Sequence, residues 1–207
     1  MKKKWLIGFL LIAGAVVYFL FNKEDIDIKP VNKNENVSVE TAGILEKIYP
    51  VAEFKERITK KSFGDFISPK NSPIQPERFA GFHTGVDIEY DDVEGDVWVV
   101  AACDGEIVLR RWVSGYGGTI GLKCQINSID YYLIYGHLST NSINQKTKVT
   151  KGEKLAILGK GFSQGTDYER KHLHFGISQN SLDIRGYVQN ENELGKWIDP
   201  LTTELVY

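Results

Sequence analysis

The sequence predicts a mainly β protein: a small antiparallel β-sandwich or barrel-like domain that follows an N-terminal transmembrane helix and a linker. Three observations predict it. A charge-free apolar run lies near the start, a polar stretch follows it, and from about residue 61 to 207 short apolar runs alternate with Gly, Asn, Asp and Pro. Many short strands joined by Gly-rich turns are the pattern of sandwiches and barrels. With 207 residues, 42% of them hydrophobic, the chain can bury one core, so one domain plus extensions is expected.

Residues 1–23 read as a membrane anchor or signal segment. Met1-Lys2-Lys3-Lys4 precedes an apolar run from Trp5 to Phe21, 17 residues, which is about 26 Å as a helix and at the short end of what spans a bilayer. Cleavage at the small residues Ala13-Gly14-Ala15 is the competing reading. It would leave Val16-Val17-Tyr18-Phe19-Leu20-Phe21 as an exposed apolar start, so an uncleaved anchor through residues 5–21 is preferred. Three lysines before the run and one after it place the N-terminus in the cytoplasm and the remainder outside.

Residues 24–43 are polar, mixed in charge and poor in aromatics, the composition of a solvated linker. Residues 44–60 carry Leu45, Ile48, Tyr49, Val51, Phe54 and Ile58 at loosely helical spacing, interrupted by Pro50. A short helical lead-in is expected there.

Within 61–207, six runs read as strands: Val97 to Ala101, Glu106 to Leu109, Thr119 to Cys124, Tyr131 to Tyr135, Lys154 to Leu158 and Leu173 to Ile177. Asp104-Gly105, Gly115-Tyr116-Gly117-Gly118, Lys151-Gly152 and Gly159-Lys160-Gly161 supply turns between them. The net charge is −2 and the basic residues beyond the first four positions are spread along the chain. Nucleic-acid binding rests on a concentrated basic face, so that function is excluded. Cys103 and Cys124 form no C-x-x-C pair. They are open to two readings, small buried apolar thiols or, in an exported domain, a disulfide between neighbouring strands.

The chain has only four histidines, and all of them fall in clusters suited to one metal site. His83-Thr84-Gly85-Val86-Asp87 and His172-Leu173-His174 are joined by His137 in Tyr135-Gly136-His137-Leu138. A catalytic zinc usually keeps three protein ligands and one open position; two histidines and one aspartate would supply the three and leave two imidazoles for proton chemistry. His172 and His174, two apart, leave the same face of a strand roughly 6–7 Å apart, so both reach one cavity, and spacing alone does not say which of them ligates. His83 and Asp87 would lie about 13 Å apart on a straight strand, too far to share an ion. A turn or bulge near Thr84-Gly85 is therefore required, and Gly85 is the residue that permits it.

The order H-x-x-x-D, Y-G-H-L-S, H-L-H-F closely resembles the lysostaphin and LytM-type zinc metalloendopeptidases, which cut peptide bridges in bacterial peptidoglycan. The resemblance runs from about Ile58 to Leu201 and includes the Gly115-Tyr116-Gly117 turn, Val149-Thr150-Lys151-Gly152 with Gly159, and Ile198-Asp199-Pro200-Leu201. It implies a zinc peptidase domain with His83, Asp87 and His174 as zinc ligands, His137 and His172 as the catalytic pair, and a peptidoglycan peptide as substrate. Two departures border the expected groove. Gln164 to Lys171 is longer and more charged than the Gly-rich loop relatives carry there, and Gly118 stands where they often have Asn. Some relatives lack zinc ligands and activate other wall hydrolases; none of the five residues is missing here. A non-catalytic wall-binding or hydrolase-activating module of the same fold is the alternative, and a wall amidase or carboxypeptidase is a third reading.

Overall fold

The computed structural model describes residues 47–203, which lie within the unit Ile44–Tyr207. The anchor expected at 1–23 and the linker expected at 24–43 lie outside the described residues. Among the described residues, no helix is long and apolar enough to cross a membrane.

Twelve strands follow in order: β1 (Phe66–Ile67), β2 (Gly81–His83), β3 (Gly85–Glu89), β4 (Trp98–Val100), β5 (Gly105–Val113), β6 (Gly117–Ile126), β7 (Ile129–Leu138), β8 (Lys148–Val149), β9 (Lys154–Ile157), β10 (His172–Gln179), β11 (Tyr187–Val188) and β12 (Trp197–Ile198). The main sheet has seven strands in the order β12-β10-β7-β6-β5-β8, with β3 also pairing β10; β1-β2-β11 and β4-β9 form smaller sheets. Every pairing is antiparallel, as expected for a mainly β domain. All six strands expected from the sequence are present. Several are longer, because Gly105 and Gly117 begin β5 and β6 instead of ending the turns before them.

Alternation along β3 and β10 separates the core from the site. Leu173, Phe175 and Ile177 of β10 and Val86 and Ile88 of β3 are fully or nearly fully buried and join Ile120, Leu122, Leu133, Tyr135 and Leu138 in one apolar cluster. Burying each such side chain contributes about 1.5–3 kcal/mol. The intervening residues, Asp87 and Glu89 on β3 and His172 and His174 on β10, must then face the other way. Cys103 and Cys124 form a disulfide closing a separation of 21 residues, which resolves the two readings of these cysteines; a loop of this length is stabilised by about 3 kcal/mol.

The expected helical lead-in is instead a run of turns over 52–57. Pro50 lacks an amide proton, and Glu53 takes a left-handed φ of 49°, which ends any helical path. The apolar residues are buried all the same: Val51 and Phe54 enter the core, and the Phe54 ring meets Phe175 edge-on at 5.9 Å. The following segment then runs beside β3, where the amides of Asp87 and Glu89 donate to the carbonyls of Lys61 and Arg57, both at 3.0 Å. With β10 on its other edge, β3 is held from both sides.

Candidate metal centre

The chain leaves one sheet for another at Thr84, between β2 and β3. The Thr84 amide donates to the Gly186 carbonyl at 3.0 Å and its hydroxyl to the Arg185 carbonyl at 2.6 Å. This break brings His83 back toward Asp87, as their spacing demanded. Gly85 is required for closeness more than for conformational freedom. A Cβ there would stand 2.5 Å from the Phe175 carbonyl oxygen and 2.9 Å from His174 Nε2.

Register does the rest. On the paired strands His174 lies opposite Asp87, and His172 lies opposite Glu89. His83 Nε2 and His174 Nδ1 are 3.1 Å apart, His174 Nδ1 and Asp87 Oδ1 are 3.1 Å apart, and His83 Nε2 and Asp87 Oδ1 are 3.3 Å apart. Donors 2.0–2.2 Å from a tetrahedral zinc are separated by about 3.3–3.6 Å, so this triangle is close to the size of a zinc face. His83 Nδ1 donates to the Ser62 carbonyl at 3.1 Å, which leaves its Nε2 as a lone pair aimed at the triangle. Two imidazole nitrogens and a carboxylate oxygen converging in a buried place suit a divalent cation chemically. Among the described residues, these three form a group able to hold a metal ion.

The remaining two histidines stand side by side. The rings of His137 and His172 are 4.1 Å apart, centroid to centroid. His137 Nδ1 donates to the Thr166 carbonyl at 3.1 Å and His172 Nδ1 to the Arg170 carbonyl at 3.0 Å, so both carry an unprotonated Nε2. His137 does not follow its strand but sits inside the end of β7, with a φ of 61°. Its amide donates to the Tyr116 carbonyl at 2.7 Å and its carbonyl accepts from Gly159 at 2.8 Å. Such a conformation costs an ordinary residue about 1 kcal/mol or more and persists only when its surroundings impose it.

Burial pushes His137 down to about 3 and holds His172 well below the ordinary imidazole value, with the Arg170 charge acting in the same direction. It also lowers His174, against the hydrogen bond that His174 donates to Asp87. For Asp87, burial acts upward, but His172, His83 and His174 outweigh it and hold the carboxyl well below its usual range. His137, His172 and His174 are therefore biased to the neutral form and Asp87 to the ionised one, the protonation states metal binding needs.

All five residues expected to carry the chemistry are thus gathered in one place, and four of them, all but His83, line a cleft of about 290 Å³. Sequence reasoning missed others on its walls. The Tyr116 hydroxyl is 3.3 Å from His174 Nε2, and burial raises its pKa. Lys61 reaches Glu77 at 2.6 Å and the Tyr187 hydroxyl at 3.0 Å. Arg170 pairs with Asp87 and Glu89. The available signals were the Gly115-Tyr116-Gly117 turn and the two-residue spacing of Asp87 from Glu89 and of Arg170 from His172. The charged 164–171 loop does border the cleft through Glu169 and Arg170. It is tied to the tyrosine turn where the Gly115 amide donates to Asp167 at 2.8 Å.

The chain is similar to known proteins to differing extents. The chain is 28% identical over 109 residues to the murein hydrolase activator NlpD of Salmonella dublin and to that of Salmonella typhimurium. The matched stretch is 52% of this chain and 26% of those proteins, so the chain spans about a quarter of the length of these curated relatives. Among solved structures it is similar to the catalytic domain of the antimicrobial peptidase lysostaphin from Staphylococcus simulans, at 25% identity and a TM-score of 0.48, covering 70% of this chain and 91% of that one. It is also similar to LytU, at 20% identity and a TM-score of 0.46, covering 70% and 81%. Residues 81–185, about half of the 207-residue chain and all five of the gathered side chains, match Peptidase family M23, and the chain belongs to that family.

Proposed function

We propose that this chain is a zinc-dependent endopeptidase that hydrolyses peptide bonds in peptidoglycan cross-links or bridges outside the cytoplasmic membrane. The observation that carries the reading is the convergence of His83 Nε2, Asp87 Oδ1 and His174 Nδ1 on one buried point, beside two further imidazoles in an open cleft. His83, Asp87 and His174 would hold the zinc. Bound there, the ion supplies Lewis acidity, which polarises a carbonyl and acidifies water.

The chain's own groups do the rest. His137 and His172 each present an unprotonated Nε2 to the cleft, so one of them takes the proton of the attacking water. The imidazolium so formed donates to the carbonyl oxygen on which charge develops and is the acid that protonates the departing amine. With His174 Nδ1 given to the metal, its Nε2–H donates to the Tyr116 oxygen. The Tyr116 hydroxyl, kept protonated by its raised pKa, is then free to donate into the cleft. Residues 5–21 would anchor the chain, with the peptidase domain outside the membrane.

A second reading is favoured by one observation, the name of the curated relatives: a murein hydrolase activator that binds wall without cutting it. The test is to incubate the full chain with purified peptidoglycan, with and without a chelator, and to identify products by mass spectrometry. Chelator-sensitive new amino termini within bridge or cross-link peptides are the expected result. Free D-alanine would show a carboxypeptidase, and a cut between sugar and peptide an amidase. No product, together with acceleration of an added wall hydrolase, would establish the activator and overturn the endopeptidase. Recovery of the chain in the washed membrane fraction tests the anchor; a soluble exported form beginning at Val16 would refute it.

A further inference from the structure

Asp87 has two oxygens and only one of them belongs to the ligand triangle. A carboxylate on a short side chain turns easily about its last torsion, so something must decide whether one oxygen or both face the metal. The other oxygen, Oδ2, accepts from Arg170 Nη2 at 2.8 Å. The same Nη2 also donates to Glu89 Oε1 at 2.6 Å, spending its two hydrogens on two carboxylates. Arg170 Nε donates to Glu89 Oε2 at 2.8 Å and sits 3.1 Å from Oε1. The guanidinium plane is therefore fixed by Glu89 before it touches Asp87. Arg170 and Glu89 are 3% and 7% exposed, so water cannot replace either contact.

We propose that Arg170, held in plane by Glu89, is a positioning residue that locks Asp87 into one-oxygen ligation by claiming Oδ2 and leaving Oδ1 to the metal. Glu89 has a second part. A buried guanidinium paired with Asp87 alone would spend the charge that the cation needs; the Glu89 carboxylate neutralises Arg170 and leaves the Asp87 charge for the metal. The same residue also acts through its backbone, since the Arg170 carbonyl accepts from His172 Nδ1 and so sets the tautomer of a cleft imidazole. One residue, two places before His172, fixes a ligand oxygen with its side chain and a proton acceptor with its carbonyl.

The proposal rests on the ligand assignment above, and metal binding tests it without any need for turnover. Zinc affinity of the full chain is measured by competition with a chromogenic chelator, and the visible spectrum of the cobalt(II)-loaded protein reports ligand number and geometry. Arg170→Gln is expected to weaken zinc binding about 10- to 100-fold and to change the cobalt bands. Arg170→Lys, which keeps the charge and loses the planar fork, is expected to recover part of the affinity and not the parent spectrum. An ion pair that merely supported the fold would lower the melting temperature and leave both metal readouts in place. A folded Arg170→Gln protein with zinc affinity within about twofold of the parent and an unchanged cobalt spectrum overturns the proposal.

Should Arg170→Gln fail to fold because buried Glu89 keeps only Lys60, at 3.3 Å, as a partner, Arg170→Met combined with Glu89→Gln removes both charges of the Arg170–Glu89 pair. The same affinity comparison then decides. The parent's behaviour separates this proposal from the functional reading. A parent that binds one zinc per chain and cuts no wall refutes the peptidase, while weaker binding in the variants still supports the clamp. A parent that takes up no zinc refutes both.

Discussion

His137 and His174 lie on neighbouring strands, both buried and both imidazoles, yet truncating them is expected to fail in different ways. His174 supplies one corner of the proposed ligand triangle and holds Tyr116 through its other nitrogen. His174→Ala should therefore lose zinc by more than the roughly 100-fold that loss of an orienting partner costs, and activity should vanish with it. His137 touches none of the three ligand residues through a hydrogen bond; its ring is turned by the Thr166 carbonyl and faces His172. His137→Ala should keep one zinc per chain and lower kcat by about 10²- to 10⁴-fold. Metal analysis of both purified variants beside their rates checks the assignment, and a zinc-free His137→Ala protein would reverse the roles. The four histidines were legible in the sequence because histidine is scarce there and its chemistry is narrow, and Asp87 because it stands four residues after one of them. Arg170, Glu89 and Tyr116 were not, because charged and aromatic residues are common and their roles come from cross-strand register, which side-chain type does not encode.

At the scale of the elements, the site depends on how closely β3 approaches β10. Phe175 O lies where a Gly85 side chain would begin, and that approach sets His174 opposite Asp87. Gly85→Ala must push the strands apart at the base of the triangle. It is expected to cost about 1–3 kcal/mol of stability and to weaken zinc binding, although residue 85 is neither ligand nor base. Denaturant midpoints with and without zinc measure the two effects, and an unchanged zinc-induced shift would show that strand spacing does not govern the site. The long strands were readable because apolar residues in them alternate or run continuously against the core. The five-residue β3 was not among those expected, and neither were the two- and three-residue strands other than β4, namely β1, β2, β8, β11 and β12. Each of the latter is defined by hydrogen bonds to distant partners, as β2 is by Phe66 and Tyr187, and too few residues remain to show a period. The lead-in over 47–60 misled for a related reason. Its apolar spacing reflects which residues reach the core, and a turn run with a left-handed Glu53 satisfies that demand as well as a helix does.

For the molecule as a whole, gathering unprotonated imidazoles in a buried cleft ties stability to pH. Burial lowers His137 to about 3 and lowers His172 and His174 as well, while in the unfolded chain each takes a proton near 6.5. Above that value neither state is protonated and these groups leave stability flat. Below it the unfolded chain binds protons that the folded one refuses, so stability falls as pH falls. The slope is about 1.4 kcal/mol per pH unit for each such imidazole, and for His137 the decline continues until its folded value is reached. Asp87 adds to the loss further down: its depressed carboxyl stabilises the fold above the ordinary aspartate value near 4, and that contribution is lost as pH drops through the folded value. The metal-free protein, kept in chelator, should therefore show urea midpoints that hold steady from about pH 8 to 7 and drop steeply from about 6.5 to 5. Zinc should widen the stable range, because the bound ion opposes protonation of His174 directly. Midpoints that do not move between pH 7 and 5 would mean that the imidazoles bind protons in the folded protein as readily as in the unfolded one, so that burial does not hold them neutral.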